Sequence, residues 1–366
     1  MSTSIPWWSV DLSSVKVEDF REVISSNFPN EGSLTSELSE QLKTFLNVKH
    51  AILTTSGTTA LFLGLKALGV DSHSRVAVPN LTFIATANAV SLTGAKVVLV
   101  DVDPVTLTIS IESLEQAHKD SPLDLIIPVH VSGRSAFNGE LVNWAKENNI
   151  KVVEDAAEAF GSRDPVHNAL LGTIGEVGAF SFSPNKLITS GQGGLVVTND
   201  DELAEKIRRL KDQGRPERGT GGDDNHDTLG FNFKFTDLQA ALLLAQLPLI
   251  KNRLEHLKYV YKFYESTLSD LSQIRLGYFN VEKNEIPLWP ELICVNRARV
   301  EEILTQNGIG FRKIWKPIST QKPYLNGGSF KNSIELSRKT LWLPSSFLLN
   351  TDKLQYIASV LQNGAE

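Results

Sequence analysis

Short aliphatic runs recur along the first half of the chain, and segments with helical periodicity separate them. Runs of this length, rich in Val and Ile, are typical of strands that are buried on both faces of a sheet. We predict strands at residues 51–54, 75–78, 97–101, 125–130, 151–154, 177–182 and 195–198. Helices are predicted between them at residues 58–68, 83–92, 111–118 and 137–148. The alternation predicts an α/β fold with a large, mainly parallel, seven-stranded sheet and helices on both sides.

The pattern changes after residue 199. A helix is predicted at 200–212, with Asp200 or Asp201 as its N-cap, and two long helices follow at 237–246 and 249–271. The intervening loop, 214–227, is rich in Gly and charge, and composition alone does not separate disorder from function there. Short strands and helices from about residue 274 predict a smaller α+β domain. Since 366 residues exceed what one core usually serves, we expect a large domain over 1–250 and a small one over 251–366.

Charge and cysteine content exclude several classes of protein. A net charge of −6 argues against a nucleic-acid partner, because phosphate contacts need a clustered basic face. The single cysteine, Cys294, cannot form an internal disulfide, which favours a reducing compartment. No run approaches the roughly 20 apolar residues of a membrane span, and no signal peptide is evident. None of the seven histidines falls in a metal-binding pattern. We expect a cytoplasmic protein with no membrane partner and no metal.

A lysine just beyond a predicted strand is the first candidate for chemistry. Lys186 follows the segment FSFSPN and precedes the turn GQGG. Ligands of open α/β sheets collect at the carboxyl ends of strands, and glycines leave room for a bulky group near the backbone. The alternative is a surface lysine beside a flexible turn, which is the commoner case for an arbitrary lysine.

An acidic residue ends the strand predicted at 151–154. Asp155 is followed by small residues, so its carboxylate could reach a ligand above the sheet. A pyridoxal ring needs such a carboxylate, which pairs with the ring nitrogen and keeps it protonated. A helix N-cap is the alternative, since aspartates commonly cap helices after strands.

Three further motifs offer contacts to a flat, phosphorylated ligand. The segment TTSGTTAL, residues 54–61, lies at a strand-to-helix junction, where free N–H groups and the hydroxyls of Thr58 and Thr59 could bind an anion. An ordinary capped helix would begin in the same way. Phe83 could stack on a heterocycle or simply pack in the core. Asn232 could donate to a phosphate and Lys234 could add charge, or both could belong to a solvated turn.

Taken in order, six motifs resemble those of the DegT/DnrJ/StrS family of nucleotide-sugar aminotransferases. They are SGTTAL, LTFIATANAV, VDVDP, EDAAEAFGS, FSFSPNK with GQGG, and GFNFKFTDLQAA. The resemblance covers nearly the whole chain and is strongest from residue 53 to 247. It implies a fold type I aminotransferase that uses pyridoxal 5′-phosphate.

The resemblance also implies a role for each matching residue. Lys186 matches the lysine that forms a Schiff base with the cofactor, and Asp155 matches the partner of the pyridine nitrogen. Phe83 matches the aromatic residue that stacks on the ring. Gly57, Thr58 and Ser181 match residues that bind the phosphate. Glu158 matches a residue near the O3′ edge of the ring, as in relatives that resemble perosamine synthase. Asn232 matches a residue that reaches the phosphate from the neighbouring subunit of a homodimer.

Several positions depart from the family pattern. Gln192 replaces a Glu, Ser132 replaces a Tyr, and Lys234 stands where Arg is common. These changes leave the substrate open but keep the lysine–aspartate pair. The family implies transfer of an amino group from glutamate to a nucleotide-linked keto-sugar, with a 4-keto-6-deoxyhexose preferred to a 3-keto sugar.

Two rival functions remain at this point. A sugar dehydratase of the same fold would carry His at the position of Lys186, so the lysine argues against that activity. A non-catalytic regulatory protein that binds the cofactor would not need the intact set of lysine, aspartate and aromatic residue.

Overall fold

A computed structural model of the chain describes residues 4–137, 139–217, 223–325 and 327–364. In these ranges the strands are β1 His50–Thr54, β2 Arg75–Pro79, β3 Lys96–Val100, β4 Leu125–Ile126, β5 Lys151–Asp155, β6 Val177–Ser181, β7 Gly194–Thr198, β8 Ile274–Leu276, β9 Glu291–Cys294, β10 Arg312–Lys313 and β11 Thr340–Trp342. The α-helices are α1 Arg21–Ser25, α2 Ser33–Leu46, α3 Gly57–Ala67, α4 Ala85–Leu92, α5 Ile111–Asp120, α6 Leu141–Glu147, α7 Asp201–Lys211, α8 Asp237–Leu244, α9 Ile250–Leu268, α10 Arg297–Gln306, α11 Lys331–Lys339 and α12 Thr351–Gly364.

The first seven strands form one sheet in the order β1-β7-β6-β5-β4-β2-β3. Strand β7 is antiparallel to both of its neighbours, and the other pairs are parallel. The predicted mainly parallel, seven-stranded sheet is therefore confirmed. Six of its strands lie within one residue of their predicted bounds at each end.

Two predicted elements have wrong bounds. The strand predicted at 125–130 keeps regular ladder pairing only at Leu125–Ile126. Pro128 lacks an N–H to donate, so the ladder is interrupted, and only an isolated bridge joins Val129 to Asp155 farther on. The helix predicted at 137–148 begins at Leu141, because Gly139 has a φ of +84° and no right-handed helix can pass through it.

Helices cover both faces of this sheet, and alternate strand residues supply the two cores. In β1, Ala51 and Leu53 belong to one buried cluster, whereas Ile52 belongs to the cluster on the other face. In β2, Ala77 packs with the first cluster and Val78 with the second. Because side chains alternate between faces along a strand, a strand buried on both sides must be apolar throughout. This explains the continuous aliphatic runs in the sequence.

The C-terminal part of the chain contains a smaller antiparallel sheet in the order β10-β11-β9-β8. A separate buried cluster joins this sheet to α9, α10 and α12. The N-terminal segment also reaches it, since the Gly310 N–H donates to the Ile5 carbonyl at 2.6 Å. The helix predicted at 249–271 is α9, Ile250–Leu268. The division into domains at 250 and 251 stays a prediction.

Asp200 is the N-cap of α7, as predicted, because its side chain accepts the Leu203 N–H at 2.9 Å. In the predicted loop 214–227, residues 218–222 lie outside the described residues. The described ends of that loop are held by Arg215, which pairs with Asp212 at 3.1 Å and Asp224 at 2.7 Å. Over the described ranges, no helix is both long and apolar enough to cross a bilayer.

Candidate active site

A cleft of about 480 Å³ opens at the carboxyl ends of β2, β5 and β6. Its size falls in the range of cofactor and substrate sites. Seven of the eight predicted site residues line it, namely Gly57, Thr58, Phe83, Asp155, Glu158, Ser181 and Lys186. The eighth, Asn232, is exposed and does not line the cleft of its own subunit. Its predicted role toward a neighbouring subunit therefore stays a prediction.

Asp155 is a buried acid with room for a cationic partner. It ends β5, and the chain then turns instead of starting a helix, so the alternative of an N-cap is wrong. Its carboxylate accepts the Thr86 hydroxyl at 2.7 Å and the Ala157 N–H at 3.2 Å. Burial raises the pKa of Asp155, although both hydrogen bonds oppose the rise. No cation among the described residues forms an ion pair with it.

Lys186 is not a surface lysine, since its side chain is only 12% exposed. The amine lies 3.5 Å from Glu158 Oε1 and 4.6 Å from the centre of the Trp289 ring. Burial lowers the pKa of Lys186, and the negative charges of Glu158 and Asp155 only partly offset this effect. A lowered pKa increases the fraction of neutral amine, which is the form that can act as a nucleophile or a base.

The loop that carries Lys186 is anchored from three directions. Arg253 donates to the Leu187 carbonyl at 2.9 Å. The Gln246 side chain accepts the Thr189 N–H at 3.2 Å and donates to the Thr189 carbonyl at 2.7 Å. The Trp8 indole donates to the Pro184 carbonyl at 3.1 Å. These bonds fix the backbone on both sides of the lysine, so its amine has a defined position in the cleft.

Glu158 links the lysine to the segment after β4. Its Oε2 accepts the Ser132 N–H at 2.9 Å, while Oε1 faces Lys186. Burial raises the pKa of Glu158, and the Lys186 charge is the largest effect that lowers it. Ser132, one of the departures from the family pattern, has a φ of +53°, and its hydroxyl accepts the Trp342 indole N–H at 3.0 Å. The Ser132 N–H therefore holds the Glu158 carboxylate beside the amine.

The N-terminus of α3 lines the cleft and is suited to bind an anion. Ser56 caps the helix by accepting the Thr59 N–H at 3.2 Å. The other N–H groups of the first helical turn have no intrahelical partners and can bind an anion. A Cβ on Gly57 would lie 2.9 Å from the Ser181 Cβ, so only glycine lets α3 approach β6 this closely. The predicted contribution of Thr59 is wrong, because its hydroxyl donates to the Ser56 carbonyl at 2.8 Å.

Phe83 lies at the mouth of the cleft and is 52% exposed, so the alternative of a core residue is wrong. Its ring is free to stack on a flat ligand. Lys234 does not line the cleft, and its amine pairs with Asp212 at 2.8 Å.

The sequence profile of the DegT/DnrJ/EryC1/StrS aminotransferase family matches residues 11–362. The chain belongs to this family. It is similar to GDP-perosamine synthase of Caulobacter vibrioides, at 36% identity over 80% of this chain and 79% of the relative. It is also similar to dTDP-4-amino-4,6-dideoxy-D-glucose transaminase of Shigella dysenteriae, at 31% identity over 94% of both chains. The solved structure of DesV from S. venezuelae, in complex with a ketimine intermediate, matches 99% of both chains with 27% identity and a TM-score of 0.90.

As a member of the DegT/DnrJ/EryC1/StrS family, the protein is a sugar aminotransferase that depends on pyridoxal 5′-phosphate. The residues in the cleft fit this cofactor. A buried amine suits its aldehyde, a buried acid without a cation suits the ring nitrogen, and the start of α3 suits the phosphate.

Sequence reasoning missed several residues of this cleft. Thr86, which bonds Asp155, lies within the motif LTFIATANAV and could have been found there, one helical turn after Phe83. Trp289, Arg312 and Trp315 also line the cleft, but they come from the C-terminal part of the chain. No local pattern marks them, because only the packing of the smaller sheet against the larger one brings them to the site.

Proposed function

We propose that the enzyme moves an amino group from glutamate to a nucleotide-linked 4-keto-6-deoxyhexose. One observation carries the proposal: a buried amine, Lys186, and a buried carboxylate without a cation partner, Asp155, line the same cleft. The printed names of the two relatives support the choice of sugar. One is a GDP-perosamine synthase and the other a dTDP-4-amino-4,6-dideoxy-D-glucose transaminase.

Pyridoxal phosphate, when bound, supplies an electron sink for the pair of electrons left when Cα of the amino donor loses its proton. We assign the proton transfer to Lys186, which would first hold the cofactor and then act as general base at Cα. Because burial lowers its pKa, the freed amine can be neutral in a site that also contains two carboxylates. The amine would pass that proton to C4′ of the cofactor, and in the second half-reaction it would move a proton from C4′ to the sugar carbon that receives nitrogen.

Asp155 is assigned to the ring nitrogen. An ionised carboxylate there holds a proton on the nitrogen and keeps the ring electron-poor. Burial alone favours the neutral acid, but a cationic ring placed beside it would favour ionisation. Thr86 and the Ala157 N–H would then orient the two oxygens. Glu158, whose Oε1 lies 3.5 Å from the Lys186 amine, is assigned to positioning that lysine. Its predicted contact with the O3′ edge of the ring stays a prediction.

We assign the phosphate to Gly57, Thr58 and Ser181, and ring stacking to Phe83. Asn232, exposed on its own subunit, is assigned to the phosphate of the neighbouring subunit in a homodimer. The free, buried Cys294 supports a cytoplasmic location.

The proposal is tested in two half-reactions. Glutamate should convert the cofactor of the purified holoenzyme stoichiometrically from its aldehyde to its amine form, as followed by absorbance. A panel of nucleotide-linked 4-keto and 3-keto sugars should then restore the aldehyde form, and the 4-keto-6-deoxyhexoses should react fastest. Lys186→Ala is the negative control. If no amino acid converts the cofactor, the chain is not a transaminase, and if only 3-keto sugars react, the proposed position of amination is wrong.

A further inference from the structure

Ser132 has a left-handed backbone conformation, which Gly, Asn and Asp adopt far more readily than Ser. Its φ is +53°, it is fully buried, and it lies in the segment after β4. A serine in this conformation costs free energy, so the surrounding structure must hold it there, and such residues cluster at functional sites. Ser132 is also one of the departures from the family pattern, in which tyrosine is common at this position.

Three hydrogen bonds hold Ser132, and each uses a different polar group of the residue. Its N–H donates to Glu158 Oε2 at 2.9 Å, its carbonyl accepts the Leu288 N–H at 2.8 Å, and its hydroxyl accepts the Trp342 indole N–H at 3.0 Å. None of these partners is close in sequence, and two of them belong to the C-terminal part of the chain. The conformation of Ser132 therefore depends on tertiary contacts in addition to the local turn.

Two of these bonds lead to the groups that lie beside the Lys186 amine. Glu158 Oε1 lies 3.5 Å from the amine, and the centre of the Trp289 ring lies 4.6 Å from it. Ser132 holds Glu158 directly, and it holds Trp289 through the preceding residue, Leu288. One residue with an unfavourable backbone conformation thus connects the two groups that lie beside the amine.

The hydroxyl of Ser132 is suited to hold this conformation because it is attached to the β-carbon. A hydrogen bond to it acts close to the main chain, whereas the oxygen of a tyrosine would lie at the far end of the ring. The donor is also well fixed, since Trp342 is fully buried and its ring centre lies 5.1 Å from that of Trp289. Removing the hydroxyl would leave the indole N–H of Trp342 buried without its acceptor, which is unfavourable.

We propose that Ser132 is a positioning residue for Lys186. The Trp342 indole holds Ser132 in the left-handed conformation, and this conformation keeps Glu158 and Trp289 beside the amine. The inference rests on the proposed function, because it takes Lys186 as the base of the reaction. It differs from a purely structural role of the hydroxyl, because the backbone conformation is the property that matters for the amine.

The proposed positioning has a consequence for the charge of the amine. Burial is the largest effect on the pKa of Lys186 and lowers it, Glu158 and Asp155 raise it, and Arg312 lowers it further. Burial raises the pKa of Glu158, and the Ser132 N–H opposes this rise by favouring the ionised carboxylate. Loss of that bond would leave less negative charge beside the amine, so the pKa of Lys186 would fall further.

The test separates the hydroxyl from the backbone conformation by comparing Ser132→Ala with Ser132→Gly. Both variants lose the bond to Trp342, but alanine disfavours the left-handed region, whereas glycine adopts it freely. Ser333→Ala is the matched control, because Ser333 is also a fully buried serine whose hydroxyl donates to a carboxylate, that of Asp101, and neither residue lines the cleft. Thermal unfolding and cofactor content show that each variant is folded and loaded.

Two quantities are measured for each protein. In the cofactor-free protein, the rate at which trinitrobenzene sulfonate modifies Lys186 is followed by peptide mapping as a function of pH, and this profile reports the pKa of the amine. In the holoenzyme, the rate at which saturating glutamate converts the cofactor is followed by absorbance in a single turnover.

Ser132→Ala should shift the modification profile of Lys186 to lower pH and slow the single turnover roughly 10-fold, the factor that corresponds to about one hydrogen bond. Ser132→Gly should return both quantities to near the wild-type values, and Ser333→Ala should leave both unchanged. Wild-type behaviour of Ser132→Ala would overturn the inference. Equal defects in Ser132→Ala and Ser132→Gly would also overturn it, because they would assign the hydroxyl a purely structural role.

A second variant covers the case in which Ser132→Ala does not fold. Trp342→Phe removes the same hydrogen bond from the side of the donor, and adding Ser132→Gly to it should restore both quantities. If the modification profile responds as expected but glutamate never converts the cofactor of the wild type, the positioning role stands and the proposed function is wrong. If glutamate converts the cofactor equally fast in Ser132→Ala and in the wild type, with the same modification profile, the function stands and the positioning role is wrong.

Discussion

Replacing Thr86 by valine should disturb the carboxylate of Asp155 without removing it. The Thr86 hydroxyl donates to Asp155 Oδ2 at 2.7 Å, and the side chain is 1% exposed. Valine has nearly the same shape, so the change deletes one hydrogen bond to a buried acid and adds no cavity. The first consequence concerns the pKa of Asp155.

The magnitude follows from the balance of effects on that pKa. Burial raises the pKa of Asp155, and the Thr86 hydrogen bond is the largest effect that lowers it. A hydrogen bond to a charged group contributes about 1.5–3 kcal/mol, and one pKa unit corresponds to about 1.4 kcal/mol. Thr86→Val should therefore raise the pKa of Asp155 in the cofactor-free protein, because the ionised form loses this stabilisation.

The assay is the affinity of the cofactor-free protein for pyridoxal phosphate as a function of pH. If the ionised acid must pair with the ring nitrogen, affinity falls as the pH drops below the pKa of Asp155. In Thr86→Val this fall should start at a higher pH, and affinity over the interval should be up to about 10- to 100-fold weaker than in the wild type. Thr93→Val is the matched control, because Thr93 caps the other end of α4, where its hydroxyl donates to the Val90 carbonyl at 2.7 Å. If the affinity of Thr86→Val for the cofactor falls at the same acidic pH as that of the wild type, the assignment of Asp155 to the ring nitrogen is refuted.

Three further changes test other parts of the structure. Asp155→Asn should abolish turnover yet raise the unfolding temperature of the cofactor-free protein. Folding raises the pKa of this carboxyl, so the group costs stability once the pH rises through its folded pKa. Equal unfolding temperatures of the two proteins at neutral pH would contradict this expectation. Arg134→Met should lower the free energy of unfolding by about 3–5 kcal/mol in chemical denaturation, since it leaves the buried Glu291 without its ion-pair partner at 2.8 Å. The double variant with Glu291→Leu should recover most of this loss. Mixing Lys186→Ala subunits with Asn232→Ala subunits should restore activity above that of either variant alone if Asn232 serves the neighbouring site, and no recovery would contradict the shared site.

The larger sheet could be predicted because its strands carry a local signal. A strand buried on both faces needs an unbroken aliphatic run, and each run in the sequence marks one strand of the sheet. The bounds of two elements are wrong because a proline or a glycine interrupts the regular backbone within the hydrophobic pattern. Pro128 interrupts the strand predicted at 125–130, and Gly139 delays the helix predicted at 137–148. Both residues were visible in the sequence, so these two errors were avoidable.

Site residues with a local sequence signal could also be predicted, whereas those without one could not. Lys186, Asp155 and Phe83 stand at the ends of strands or the starts of helices, where sequence position alone places them at the edge of the sheet. Asp155 could still have been an N-cap, and only the turn that follows β5 removes that alternative. The contribution of Trp289 and Arg312 to the cleft, with Trp7 packed against both, could not be predicted, because these three residues come from distant parts of the chain. They meet only when the smaller sheet packs beside the cleft.

The central claim is that the cofactor is held by Lys186, and reductive trapping tests it most directly. Borohydride reduction of the holoenzyme followed by proteolysis and mass mapping should find the cofactor covalently attached to the peptide that contains Lys186. Lys186→Ala should show no attachment, whereas the exposed-lysine variant Lys313→Ala should be labelled like the wild type. Attachment to any other lysine of the wild type would contradict the account.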